Sequence, residues 1–176
     1  RIAPADHYAL SHAQKRLWVL EQMGESESAY SMPGAVKFEG ALDVTKLEAA
    51  FRFLVMRHET LRTAFVEIEG EPFQVAHNEI DFNIVQYDLI NDPNQETSLR
   101  RLAEKNANTH FDLTRAPLFS IRVAHISPEL HILFFNMHHI ISDGWSINVL
   151  LRELTESIAG GIKFKDLPIQ YKDYAA

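Results

Sequence analysis

Within residues 137–146 the chain places two adjacent imidazoles, His138 and His139, then a carboxylate, Asp143, then Gly144 and Trp145. An imidazole titrates near neutrality, so it can accept or return a proton, or hold an amine or hydroxyl by a hydrogen bond. Neighbouring strand residues point to opposite faces. One of the pair therefore faces the sheet while the other can project into a cleft. The same opposition makes two adjacent histidines a poor chelate, and Asp143 is the only third ligand close by, so no metal is expected. Asp143 can orient the cleft histidine or tie the loop down by pairing with an arginine. Gly144 would let the backbone come close to a substrate. Ser142 and Ser146 lack a Gly-x-Ser-x-Gly elbow, and the chain has no cysteine, so no nucleophile for covalent catalysis is expected. On residue chemistry alone, two packing histidines are an equally good reading.

The elements that must position this stretch follow from periodicity. An apolar run over 132–137 predicts a strand, and apolar residues at helical spacing from Ile147 predict a helix to Ala159, stopped at Gly160-Gly161. The candidate residues thus occupy a strand-to-helix turn, where α/β proteins expose functional loops on a rigid frame. Upstream, Ser11 is the expected cap of a helix that ends near Gly24, and Ala35 to Glu39 alternates as a strand. Asp43, or a Thr45/Glu48 capping box, opens a second helix running to about Thr60. Its apolar stripe of Leu47, Ala50, Phe51, Leu54 and Leu61 includes His58. Residues 64–68 and 73–76 predict a hairpin around Glu69-Gly70-Glu71-Pro72, and 82–89 a further strand. Asp92-Pro93 predicts the start of a third helix reaching about His110 and burying Leu99, Leu102, Ala103 and Ala107. Residues 118–126 and 130–137 are the clearest strands; the second is apolar on both faces, as in a strand covered on both sides. Hairpins among alternating helices and strands predict an α/β fold (an α+β sandwich) with a mixed β-sheet flanked by helices.

Composition narrows the function. The net charge of −7 and the lack of a long Lys/Arg run argue against nucleic acid as a partner. No apolar run approaches the ~20 residues of a membrane span, so no membrane partner is expected. The absence of cysteine fits a reducing, cytoplasmic setting. The start at Arg1 has neither an initiator methionine nor a signal-peptide apolar region, so the chain is expected to be a piece of something longer.

Met137-His138-His139-x-Ile141-x-Asp143-Gly144-Trp145-Ser146 resembles the core motif of the condensation domains of nonribosomal peptide synthetases. Ser11-x-Ala13-Gln14-x-Arg16-Leu17-Trp18 is similar to the first motif of that family. Arg57-His58-Glu59-x-Leu61-Arg62-Thr63-x-Phe65 is similar to the second, and Tyr171-x-Asp173-Tyr174-Ala175 to the start of the fourth. Phe111-Asp112-Leu113 and Ala116-Pro117-Leu118 match a further recurrent stretch.

The resemblance implies a chloramphenicol-acetyltransferase-like lobe, with residues 1–176 forming the N-terminal lobe of a condensation domain and the C-terminal lobe absent. The implied reaction joins a donor acyl or peptidyl thioester to an acceptor aminoacyl thioester. Both would be carried on 4'-phosphopantetheine arms of donor and acceptor peptidyl carrier proteins, beside an adenylation domain. By motif position His139 takes the catalytic role, with His138, Asp143 and Gly144 in the same motif. The resemblance implies a structural Asp143–Arg62 pair and structural support from Arg16. Arg57 and Arg62 can equally be read as exposed helix-end cations, His58 as a packing residue, and Trp18 and Trp145 as core or cleft lining. The competing functions are a coenzyme A-dependent acyltransferase, an epimerisation domain and a non-catalytic carrier-protein-recruiting module. An isolated half is expected to be inactive and to expose an apolar face.

Overall fold

The computed structural model describes residues 2–24, 29–160 and 164–175. In chain order the elements are β1 (Tyr8–Ala9), α1 (His12–Gln22), β2 (Ser31–Glu39), α2 (Val44–Arg57), a 3-10 turn (Glu59–Arg62), β3 (Thr63–Ile68), β4 (Glu71–Ala76), β5 (Val85–Asp88), α3 (Gln95–Ala107), β6 (Phe119–Ser127), β7 (Leu130–His138), α4 (Gly144–Ala159) and α5 (Tyr171–Ala175). One sheet has the order β1-β4-β3 and is antiparallel. The other has the order β2-β7-β6-β5, with β5 parallel to β6 and the remaining pairs antiparallel. The mixed α/β architecture expected from the sequence is the one formed.

Local chemistry explains most element ends. Ser11 and Gln14 form a reciprocal capping box: Ser11 Oγ accepts from the Gln14 N–H at 3.3 Å and Gln14 Oε1 accepts from the Ser11 N–H at 3.0 Å. Asp43 caps α2 through the Lys46 N–H, so the Thr45/Glu48 alternative is not used. The helix ends at Arg57, short of Thr60, because His58 is extended. The hairpin turn is Glu69-Gly70, both at positive φ, the geometry that matches strand twist in a two-residue loop. Pro72 lies in β4 beyond the two residues paired with β1, where a missing N–H disrupts no ladder on that side.

Other boundaries also differ from expectation, and the strand expected over 82–89 forms only over Val85–Asp88. β2 begins at Ser31 and takes in Pro33 and Gly34, which an edge strand tolerates. α3 begins at Gln95, because Asp92 accepts from the Asn94 N–H and the Ser98 hydroxyl in a turn ahead of the helix. It ends at Ala107, with Ala103 exposed and Asn106 buried in its place. α4 begins at Gly144, three residues before Ile147, because Asp143 is its cap.

The core fills the space between one face of β6–β7 and helices α1, α2 and α4. Leu47, Leu54, Phe65, Leu118, Val123 and Leu133 are almost fully enclosed there. The other face of β6–β7 carries Ala124 and Phe134, which pack against Leu102 of α3. That double cover is why the sequence of β7 reads as continuously apolar. α3 also grips β7 by polar contacts. Asn106 Nδ2 donates to the Phe135 carbonyl at 2.8 Å, and Asn136 Nδ2 donates to the Asn106 carbonyl at 2.7 Å.

Candidate active site

β7 ends at His138, and the pleat sends the two histidines to opposite sides. His138 is buried. Its Nδ1 accepts the Ile140 N–H at 3.1 Å, so in the neutral ring the proton sits on Nε2. Nε2 lies 3.7 Å from Glu21 Oε2 of α1, too far for a direct hydrogen bond. Burial, with smaller contributions from His139 and His110, depresses the His138 pKa to about 4, so the ring is neutral at pH 7. Burial likewise raises the Glu21 carboxyl, opposed by His110. His138 is thus the enclosed member of the pair.

His139 is exposed. Its N–H donates to the Tyr30 carbonyl at 2.8 Å, and its Nδ1 lies 2.8 Å from the Ser142 carbonyl. A carbonyl only accepts, so Nδ1 carries the proton and Nε2 of the neutral ring keeps its lone pair. The turn is held from α1 as well, by Gln14 Nε2 donating to the Ile140 carbonyl at 3.4 Å. Gln14 and Glu21 are two helical turns apart on one face of α1, with buried Trp18 between them.

Asp143 caps α4. Its Oδ1 accepts from the Ser146 N–H at 2.7 Å and from the Ser146 hydroxyl at 2.6 Å, and these bonds hold its carboxyl below the usual range. The expected Asp143–Arg62 pair is not formed. Arg62 Nη1 donates to the His77 carbonyl and Nη2 lies 3.7 Å from Glu59 Oε1, so the guanidinium is turned toward the end of the β3–β4 hairpin. Asp143 meanwhile has its donors within its own helix. Arg16 is exposed on α1 and makes no hydrogen bond or ion pair among the described residues. Gly144 has ordinary helical backbone, and a Cβ there would meet nothing within 4 Å.

The second motif is joined to α4 by a residue outside the sequence motifs. Glu153 is buried, and its Oε2 accepts from Arg57 Nε at 3.1 Å and meets His58 Nε2 at 2.7 Å. Arg57 is not the exposed cation of the sequence reading: its Nη1 donates to the Lys165 carbonyl and its guanidinium lies over the Phe164 ring. The signal was present: a carboxylate between Leu150 and Leu154 on the apolar stripe of one helix, and a histidine on the stripe of another. The fourth motif is tied in too. Tyr171 OH and Ser11 Oγ are 3.0 Å apart, Gln170 bonds the backbone of Arg57 and Glu59, and Lys172 pairs with Glu59 at 2.7 Å.

These elements enclose a cleft of 540 Å³ between α1, the start of α4 and residues 167–174. Its lining is mostly apolar, including Leu17, Ile141, Val149 and Ile169, with His139 and His58 among its polar groups. Trp18 is core, whereas Trp145 is 80% exposed at the edge of the cleft. Among the described residues no three His, Asp or Glu side chains converge as a metal site would need, and no helix is long and apolar enough to cross a membrane.

The turn thus presents an imidazole, anchored through Nδ1 and with no hydrogen bond at Nε2 among the described residues, to an apolar cleft. The condensation-domain family model matches residues 4–176, and the chain belongs to that family. Condensation domains are acyl or peptidyl transferases that form amide bonds. The chain is 39% identical over 175 residues to bacitracin synthase 3 of Bacillus licheniformis, covering 99% of this chain and 3% of that protein. It is 42% identical over 177 residues to surfactin synthase subunit 1 of Bacillus subtilis (strain 168), covering 99% and 5%. Among solved structures it superposes on the first condensation domain of the calcium-dependent antibiotic synthetase, bound to a substrate analogue (TM-score 0.86, 22% identity, 97% of this chain and 42% of that one). It also superposes on the X-domain in its complex with OxyB from teicoplanin biosynthesis (TM-score 0.86, 29% identity, 99% and 38%). The chain therefore spans a small fraction of the curated relatives and under half of these solved chains.

Proposed function

We propose that this chain supplies the His139 wall of a site that forms an amide bond between two thioester-bound substrates. The α-amino nitrogen of an acceptor aminoacyl thioester attacks the carbonyl carbon of a donor acyl or peptidyl thioester. The tetrahedral intermediate collapses, the C–S bond breaks, and the released sulfur takes up a proton while the amine gives one up. The observation that carries this reading is the open His139 Nε2 on the cleft side of the turn, with Nδ1 anchored on the Ser142 carbonyl. That nitrogen can hold the attacking N–H and accept its proton as the C–N bond forms. An amine with a pKa near 8 is already partly neutral at pH 7, so positioning carries much of the rate; aligning two reactants supplies about 7–11 kcal/mol in the best cases.

Both substrates would ride on 4'-phosphopantetheine arms of donor and acceptor peptidyl carrier proteins, with an adenylation domain loading the acceptor. A C-terminal lobe would supply the opposite wall of the cleft, and the reaction belongs in the cytoplasm, where such synthetases would be charged. Residues 1–176 are the N-terminal lobe in this reading and do not turn over alone. The test is His139→Ala in a complete two-lobed domain supplied with both loaded carriers. The expected loss in condensation rate is about 10²-fold or more. An unchanged rate, or turnover by residues 1–176 alone, overturns the corresponding statement.

Likeness to the X-domain, whose structure is a complex with OxyB, favours a second reading as a protein-recruiting module. In that case His139→Ala would leave function intact while substitutions on the exposed surface would not.

A further inference from the structure

Most polar groups around the cleft are already engaged with the chain itself. Asp143 and Ser146 bond each other, both ends of the Gln170 amide hold backbone groups, and Tyr171 meets Ser11. Among the described residues two histidine ring nitrogens of the cleft make no hydrogen bond. One is Nε2 of His139. The other is Nδ1 of His58.

His58 reaches this position through a defined local structure. α2 ends one residue earlier, His58 adopts extended backbone, and its ring turns toward α4. There Nε2 lies 2.7 Å from Glu153 Oε2, an oxygen that also takes the Arg57 Nε–H. A carboxylate oxygen already serving a guanidinium is an acceptor, so the His58 ring donates from Nε2. In the neutral ring the lone pair is then fixed on Nδ1. That nitrogen is not sealed in: the side chain is 18% exposed, and Nδ1 is not among the buried atoms lacking a partner. A lone pair held in this way can accept a hydrogen bond from whatever donor enters the cleft. The His58 ring is oriented by a buried carboxylate and left open beside the cleft that His139 faces.

We propose that His58, oriented by Glu153, is a second substrate-contacting histidine, its Nδ1 accepting a hydrogen bond from an N–H of the bound substrate. The proposal rests on the acyl-transfer reading. It adds an acceptor on the wall formed by the second motif, where it can fix the substrate's direction while His139 serves the reacting amine. Two sources offer such an N–H: the amine of the aminoacyl group and the amides of the pantetheine arm.

Glutamine and asparagine separate the two nitrogens. In His58→Gln the side-chain amide still donates to Glu153, but nothing stands in for Nδ1. In His58→Asn an oxygen stands near the Nδ1 position and the Glu153 contact is lost. In a complete domain with loaded carriers, His58→Gln is expected to keep the wild-type Tm and lose at least about fivefold in kcat/KM, as one hydrogen bond implies. His58→Asn is expected to recover part of that loss despite a lower Tm. A smaller change in His58→Gln, or losses in the two variants that simply track Tm, overturns the proposal. A binding measurement separates it from the reading beneath it. The 15N resonance of His58 Nδ1 is followed while pantetheine, or an aminoacyl thioester of N-acetylcysteamine, is added. A shift with pantetheine assigns the arm amides, and a shift with the aminoacyl thioester alone assigns the amine. No shift with either sinks the proposal even if the domain condenses its substrates. A shift in a domain that never condenses them retains the contact and removes the acyl-transfer reading.

Discussion

Glu153 of α4 holds both Arg57 and His58 of the second motif on a single carboxylate oxygen, while Asp143, at the head of the same helix, reaches no arginine among the described residues. The clamp between the second motif and the histidine turn therefore sits deep along α4 rather than at its first residue. The Arg57 and Glu153 side chains are 12% and 9% exposed, so solvent screens this pair far less than a surface one.

Glu153→Ala leaves Arg57 largely buried without its partner, and the expected cost is about 3–5 kcal/mol. Asp143→Ala removes only a helix cap, for about 1 kcal/mol. Urea unfolding of the two variants checks the contrast; equal costs would mean that Asp143 has a partner of comparable weight.

His138 makes stability depend on pH in a defined direction. Its pKa is about 4 in the folded chain and about 6.5 in an unfolded one, so between these values the unfolded state binds more protons. Stability is fully present above about pH 6.5 and falls as pH drops toward 4, by roughly 3 kcal/mol from this group. His138→Asn keeps an acceptor for the Ile140 N–H but cannot titrate. Unfolding measured at pH 7.5 and 5 should show a shallower loss in that variant.

Two glycines should respond in opposite ways. A Cβ at Gly34 would stand 2.1 Å from Cζ of Phe135, its cross-strand partner, so Gly34→Ala forces the ring or the strand to shift, for about 1–3 kcal/mol. A Cβ at Gly144 meets nothing, and Gly144→Ala should leave stability within about 0.5 kcal/mol. If Gly144→Ala nevertheless impairs condensation in a complete domain, the constraint on that position comes from substrate or a second lobe. Calorimetry paired with a turnover assay separates the two cases.

The strand-to-helix turn is legible in the sequence because β7 is apolar on both faces and the histidines follow it directly. Pleat alternation was enough to separate the two histidines, and cap chemistry was enough to place α1 and α2. Long-range polar pairing was not legible. Nothing local distinguishes Arg57, which is enclosed, from Arg16, which is exposed, since both are basic residues on amphipathic helices. Nor does spacing reveal whether Asp143 turns inward to an arginine or back to Ser146. The start of α3 is obscured for a related reason: Asp92 does cap backbone, but in a turn ahead of the helix.

The grip of α3 on β7 bears on which imidazole faces the cleft. Asn106 bonds the carbonyl of Phe135 and takes the side chain of Asn136, and the Phe135 ring fits the space left by Gly34 on the neighbouring strand. Strand faces alternate with a period of two, so a slip of one residue would exchange inside for outside along the whole of β7. His138 would then face the cleft and His139 the core. Which imidazole meets the cleft is thus a matter of parity, set several residues upstream by an amide and a missing side chain.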